Sequence, residues 1–164
     1  MEKLNGKKIV VAGATGGIGS SLVKLLVQSG AEVFITGRNS EKLSNIASLH
    51  GIPSSHFLAT DISDGAQMEL LATTVLNQLG TPDILINLAG IGIIKPMEQL
   101  SLDDFSRSIQ TNLIGAFLFV KSFLPAMKEV KKGLIINVPG VLGKVPMAGA
   151  GAYSASKYGV VGMM

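Results

Sequence analysis

The sequence predicts a doubly wound α/β fold built on a parallel sheet, and two observations carry that expectation. Short runs almost continuous in Val, Ile and Leu alternate with stretches of helical periodicity. The first such run passes directly into a glycine-rich turn that opens a helix. Continuous apolar strands suit a sheet covered on both faces, and β-α alternation builds such a sheet from crossover units.

Each element has its own signal. Lys8 to Ala12 reads as the first strand, and a helix is expected from Gly17 to Ser29. Ile18, Leu22, Leu25 and Leu26 are its predicted inward residues, and Gly30 stops it. Glu32 to Thr36 is the second strand, with a helix after Ser40. Phe57 to Thr60 and Ile84 to Asn87 are the third and fourth strands. The longest helix opens at Ser101, where a hydroxyl followed three residues on by Asp104 forms a capping-box pattern. Its apolar stripe, Phe105, Ile109, Leu113, Phe117, Val120 and Leu124, predicts a core or subunit-contact face. Leu134 to Val138 is the fifth strand, and the chain stops within a final helix at YGVVGMM. With no linker and no repeat, residues 1–164 are expected to form one dinucleotide-binding domain, incomplete at its C-terminal side.

Composition narrows the function classes. A chain of 164 residues, 47% hydrophobic and with positive mean hydropathy, can bury a substantial core and lies outside the range of disordered proteins. The net charge of +3 is spread thinly, and the short clusters Lys7–Lys8 and Lys128, Lys131, Lys132 read as solvated faces. With aromatics at 5%, a nucleic-acid surface is not expected. The absence of cysteine excludes disulfides and thiolate metal sites and fits a reducing compartment. His50 and His56 stand apart from any carboxylate cluster, read as surface residues, and suggest no metal site. The start lacks a leader pattern. Leu113 to Val120 is far shorter than the ~20 residues that cross a bilayer, and Lys121 and Pro125 interrupt the apolar character beyond it. The expected setting is cytoplasmic, without membrane attachment.

After the first strand comes AGATGGIG, with Gly13, Gly17 and Gly19 at GxxxGxG spacing. Glycines allow a sharp turn and close approach of the backbone to a pyrophosphate, whose charge a helix N-terminus stabilises through free N–H groups. At the end of the second strand, an acidic residue would accept from a ribose 2′-hydroxyl. The sequence there reads Gly37, Arg38, Asn39. The Arg38 guanidinium is a planar, permanent cation matched to a 2′-phosphate, so NADP is expected in preference to NAD. Gly16 takes the place before the middle glycine where a second basic residue often sits in NADP sites, which weakens that preference.

Far downstream, YSASK places Tyr153 four residues before Lys157. On a helix that spacing puts both on one face, where an ammonium can favour a phenolate. An unassisted phenol titrates near ~10, so such help is what makes tyrosine a proton donor near neutrality. Ser154 and Ser156 fall on other faces of that helix and are not expected to act.

Together, AGATGGIG, NLAG at Asn87 to Gly90, Asn112 in TNLIG and YSASK resemble the short-chain dehydrogenase/reductase family, especially compact members such as 3-oxoacyl-carrier-protein reductases. The resemblance covers the whole chain and corresponds to about the first two thirds of such a protein. It implies a homodimeric or homotetrameric oxidoreductase that moves hydride between NADP(H) and a carbonyl or alcohol substrate. It further implies Tyr153 as the general acid, Lys157 as its electrostatic partner and ribose ligand, and Asn112 as the anchor of a water chain. Thr15, Gly16 and Ile18 join Gly13, Gly17 and Gly19 around the pyrophosphate. Asp61 and Ile62 fall to the adenine end, and Asn87, Ala89 and Gly90 to the ribose side. On their own, Asp61 could cap a turn with Ser63, Asn87 could tie adjacent strands, and Asn112 could be a buried amide bonded to its own helix.

One departure bears on chemistry. The family's serine, thirteen residues before the tyrosine, is Gly140 here, and the usual threonine ahead of the glycine run is Ala12. The lost hydroxyl would have donated to the substrate oxygen, and removing one such donor costs ~3 kcal/mol of transition-state stabilisation. Impaired turnover is one expectation, and a dinucleotide-binding module without catalysis is the alternative.

Overall fold

The computed structural model describes residues 4–164. Five strands alternate with helices: β1 Lys8–Ala12, α1 Gly17–Gln28, β2 Glu32–Gly37, α2 Ser40–His50, β3 Phe57–Ala59, α3 Gly65–Gln78, β4 Ile84–Asn87, α4 Leu102–Ile109, α5 Gly115–Glu129, β5 Leu134–Asn137 and α6 Gly151–Met163. A π-helical turn, Gln110–Ile114, joins α4 to α5. All five strands are parallel, in the order β3-β2-β1-β4-β5. The chain therefore winds outward from β1 through β2 to β3 and returns on the other side of β1 at β4. A crevice opens where the winding direction reverses, at the carboxyl ends of β1 and β4.

Strand alternation divides the core into two layers. Ile9, Val11, Ile35 and Ile86 pack with Val23, Leu26, Leu43 and Ala47 of α1 and α2. Val10, Phe34 and Leu85 pack on the opposite face with Met68, Leu71 and Val75 of α3 and Phe119, Phe123 and Met127 of α5. Phe119 and Phe123 meet edge to face at 5.6 Å. Fully burying one such side chain contributes about 2 kcal/mol.

Several expectations shift in detail. In α1 the buried residues are Gly19, Val23 and Leu26, whereas Ile18 is 71% exposed and Leu25 is also outward. The turn before α1 sets the helix phase, which a count of apolar positions does not see. The stripe Phe105, Ile109, Leu113, Phe117, Val120, Leu124 is not the core face. Phe105, Phe117 and Leu124 are exposed, and the buried line runs through Asp104, Ser108, Asn112, Ala116, Phe119, Phe123 and Met127. The π turn adds a residue to one turn and so shifts which positions share a face. The Ser101–Asp104 capping box forms as expected, with Ser101 Oγ accepting from Asp104 N at 3.0 Å.

Pro125 does not end α5, which continues to Glu129 at the cost of one ladder hydrogen bond. Among the described residues, the helical run Leu102–Glu129 is the one long and apolar enough to cross a bilayer, yet its Phe119, Phe123 and Met127 belong to the core beneath the sheet.

The lysine clusters are also not simply solvated. Lys132 Nζ lies 2.8 Å and Lys7 Nζ 3.7 Å from Asp83 Oδ1, and Asp83 Oδ2 accepts from Lys8 N at 3.1 Å. The hydrogen bond from Lys132 holds the Asp83 carboxyl below its ordinary value. His50 and His56 are half-buried rather than on the surface, His56 stacking on Phe34 at 6.1 Å.

Candidate active site

At the crevice, the chain turns from β1 into α1 through Gly13, whose φ of +80° is left-handed. A Cβ at Gly13 would stand 2.6 Å from Ala89 N, so the loops after β1 and β4 touch only because this residue has no side chain. Gly19 is buried, and a Cβ there would overlap the Gly13 carbonyl oxygen. Gly17, by contrast, faces open space. The N-cap of α1 is Gly16, with no side-chain cap and no acidic residue in the first turn. The twelve-residue helix thus begins at the cleft-lining Gly16 with neither a capping side chain nor a first-turn carboxylate to offset the partial positive charge of its first N–H groups. A cleft of about 210 Å³ lies there, lined by Gly13, Thr15, Gly16, Gly37, Arg38, Asp61, Ile62, Ala89 and Gly90 among others.

The residues named from sequence divide by what they do in this structure. Gly13, Thr15, Gly16, Arg38, Asp61, Ile62, Ala89 and Gly90 line the cleft. Gly19 instead packs the turn against the helix, and Ile18 points outward from the first turn of α1. Asp61 faces the cleft and also closes its own turn, Oδ1 accepting from Ser63 N at 2.9 Å and Ser63 Oγ at 2.6 Å. Asn87 is a strand tie: its Nδ2 donates to Asn137 Oδ1 at 3.0 Å and its Oδ1 accepts from Ala89 N at 3.0 Å, shaping the loop that lines the cleft. Thr60, Leu88, Ile91 and Thr111 complete the lining and were not singled out by sequence. Thr111 adjoins Asn112 and Ile91 comes directly after NLAG, so motif adjacency was the available signal.

The other wall is built by α6 and the π turn. Tyr153 is half-buried, and Lys157 is buried with its Nζ 5.6 Å from the centre of the Tyr153 ring. Nζ lies 3.4 Å from the Val138 carbonyl oxygen. Burial pushes the Lys157 ammonium below the ordinary lysine range, because the charged form loses water. A Cβ at Gly90 would fall 3.1 Å from Lys157 Nζ and 3.0 Å from Asn112 Oδ1, so the glycine admits both groups to the edge of the cleft. Asn112 is not bonded to its own helix. Its Oδ1 accepts from Ile91 N at 2.7 Å and its Nδ2 donates to Ile91 O at 2.9 Å. The widened π turn directs this amide inward; such turns recur at functional sites.

Ser154 and Ser156 were expected to lie idle on other faces of the helix. Ser154 Oγ is buried with no partner among the described residues, but Ser156 Oγ accepts from Asn112 Nδ2 at 2.9 Å. Helix α6 is covered on more than one side, so facing away from Tyr153 does not mean facing solvent.

A model of short-chain dehydrogenases matches residues 7–164. The chain belongs to the short-chain dehydrogenase family. It is 34% identical over 163 residues to D-threitol dehydrogenase of Mycolicibacterium smegmatis, covering 98% of this chain and 63% of that protein. It is 34% identical over 160 residues to a 3-oxoacyl-acyl-carrier-protein reductase of Chlamydia pneumoniae, covering 96% and 64%. Among solved structures, actinorhodin polyketide ketoreductase with NADPH superposes with a TM-score of 0.89 at 30% identity, over 96% of this chain and 62% of that one. The chain thus spans somewhat less than two thirds of the length of these family members.

Within this family member, Gly140 occupies the place of the usual serine, and its backbone explains why a side chain there is not a simple restoration. Its φ is +72° and ψ −179°, a conformation that L residues rarely adopt, although a Cβ would meet nothing within 4 Å. The obstacle is the turn, not the space.

Proposed function

We propose that this chain carries the cofactor-binding and proton-transfer portion of an NADP(H)-dependent oxidoreductase acting on a ketone or 3-oxoacyl substrate or the matching alcohol. The observation that carries the proposal is the convergence of the Lys157 ammonium and the Asn112 amide on Gly90, at the rim of a glycine-built cleft open to a bare helix N-terminus. The cleft's features fit a dinucleotide: a turn that a Cβ would block, free N–H groups for a pyrophosphate, and Arg38 for a 2′-phosphate. Asp61 and Ile62 would flank the adenine. Ala89 and Gly90, with Lys157, would hold the nicotinamide ribose.

An NADPH held in the cleft would supply the hydride that reduces the carbonyl. Tyr153 supplies the matching proton from its phenol to the carbonyl oxygen, and the nearby Lys157 cation stabilises the phenolate left behind. Exposed Phe117 and Leu124, which with Met163 and Met164 line a shallow apolar groove, favour a homo-oligomer. A cytoplasmic setting fits the cysteine-free composition.

The test is loss of NADPH absorbance on adding a panel of ketones and 3-oxoacyl thioesters to the purified chain. Tyr153→Phe should lower turnover at least about a hundredfold while leaving the NADPH Kd within about twofold. Gly140 favours a second reading, a scaffold that binds NADP without turning it over. Tight NADPH binding with no turnover by wild type or Tyr153→Phe would select it.

A further inference from the structure

We infer that Ser156 is a positioning residue for the proton-transfer site, acting through Asn112; this rests on the oxidoreductase function proposed above. Ser156 is fully buried. Its Oγ donates to the Tyr153 carbonyl oxygen at 2.7 Å and accepts from Asn112 Nδ2 at 2.9 Å. A backbone carbonyl only accepts, so it takes the serine's single proton and leaves the serine oxygen as an acceptor toward Asn112. Asn112 must then present its NH₂ to α6. The Ile91 peptide imposes the same orientation from the other side, since its N–H needs the amide oxygen and its C=O needs the amide hydrogen.

One buried triangle therefore fixes three elements whose spacing the chemistry needs: the loop after β4 that lines the cleft, the π turn, and the first turn of α6 that holds Tyr153. Asn112 uses both of its N–H groups, its oxygen accepts from Ile91 N, and that oxygen would stand 3.0 Å from a Cβ at Gly90. With Ser156 removed, one amide hydrogen of Asn112 loses its partner in a buried interface, and the side-chain tie between the π turn and the first turn of α6 is lost. A serine that merely bonded back to its own helix would leave Asn112 untouched.

The experiment compares Ser156→Ala, Ser156→Thr, Asn112→Ala and the double alanine variant in the full chain. The first measurement needs no turnover: the side-chain NH₂ resonances of Asn112 in a ¹⁵N–¹H spectrum, assigned by their loss in Asn112→Ala. Slow hydrogen exchange and a downfield shift are expected in wild type, lost in Ser156→Ala and recovered in Ser156→Thr. In turnover, Ser156→Ala should lose about tenfold in kcat with the KM for NADPH within about twofold. The double variant should be no slower than Asn112→Ala alone. Asn112 resonances unmoved by Ser156→Ala, or kcat losses that multiply in the double variant, would overturn the inference. A wild-type chain with no turnover on any carbonyl sinks the oxidoreductase function, while the amide resonances still decide whether Ser156 orients Asn112.

Discussion

The two walls of the cleft are encoded in different ways. The glycine side, Gly13 to Gly19, is mostly a local device of one strand, one turn and one helix start, in which a Cβ at Gly19 would strike the turn itself and a Cβ at Gly13 would strike Ala89 of the loop after β4. The side that carries Tyr153 and Lys157 is assembled from segments far apart in sequence, with Ile91, Asn112, Ser156 and Lys157 drawn together by the sheet order and by α6 lying against the π turn. At Gly13 and Gly19 an added Cβ meets backbone that must move, whereas in the assembled side a single substitution removes one hydrogen bond among several. That contrast orders the expected effects of mutation.

The largest belongs to the local side. Gly19→Ala drives a methyl into the Gly13 carbonyl and should cost about 3 kcal/mol of stability, together with NADPH binding. Wild-type stability in urea denaturation and an unchanged NADPH Kd would show that the turn yields more easily than its geometry implies. Gly140→Ser is intermediate. The new side chain has space but inherits a left-handed φ, so a loss of about 1–2 kcal/mol is expected by the same measurement. A rise in kcat with no loss of stability would mean that the turn refolds around the serine and that this wall is softer still.

The smallest effect lies away from both walls, at Asp83. Its carboxyl is held down by Lys132, so its stabilisation is present above the unfolded carboxylate pKa and is lost as pH falls through the lower folded value. Wild type should therefore shed stability more steeply than Asp83→Asn below about pH 4, as read by Tm against pH. Parallel curves would remove the ion pair from the stability of the sheet's amino-terminal edge.

Much of this was legible in the chain. The five strands fell within a residue or so of their expected bounds because buried parallel strands are written as unbroken Val, Ile and Leu. The glycine turn was legible for a similar reason: its constraint is steric and short-range. The buried face of the long helix was not. A π turn, here holding Asn112 with its bonds to Ile91, shifts the apolar phase that periodicity assumes to be constant. Ser156 was passed over because helix geometry relates it to Tyr153 but says nothing of what packs behind it.

The sequence by itself determined the order of strands and helices, the glycine turn after β1 and the placing of Tyr153 and Lys157 on one helix face, because each depends on residues within about one turn or one strand of each other. Only the tertiary structure decided which face of the long helix is inside, that Asn87 ties strands while Asn112 and Ser156 join separate elements, and that Gly140 sits in a backbone unfavourable to serine. Hydrogen bonds between residues distant along the chain depend on sheet order and helix packing, and no local pattern carries that information.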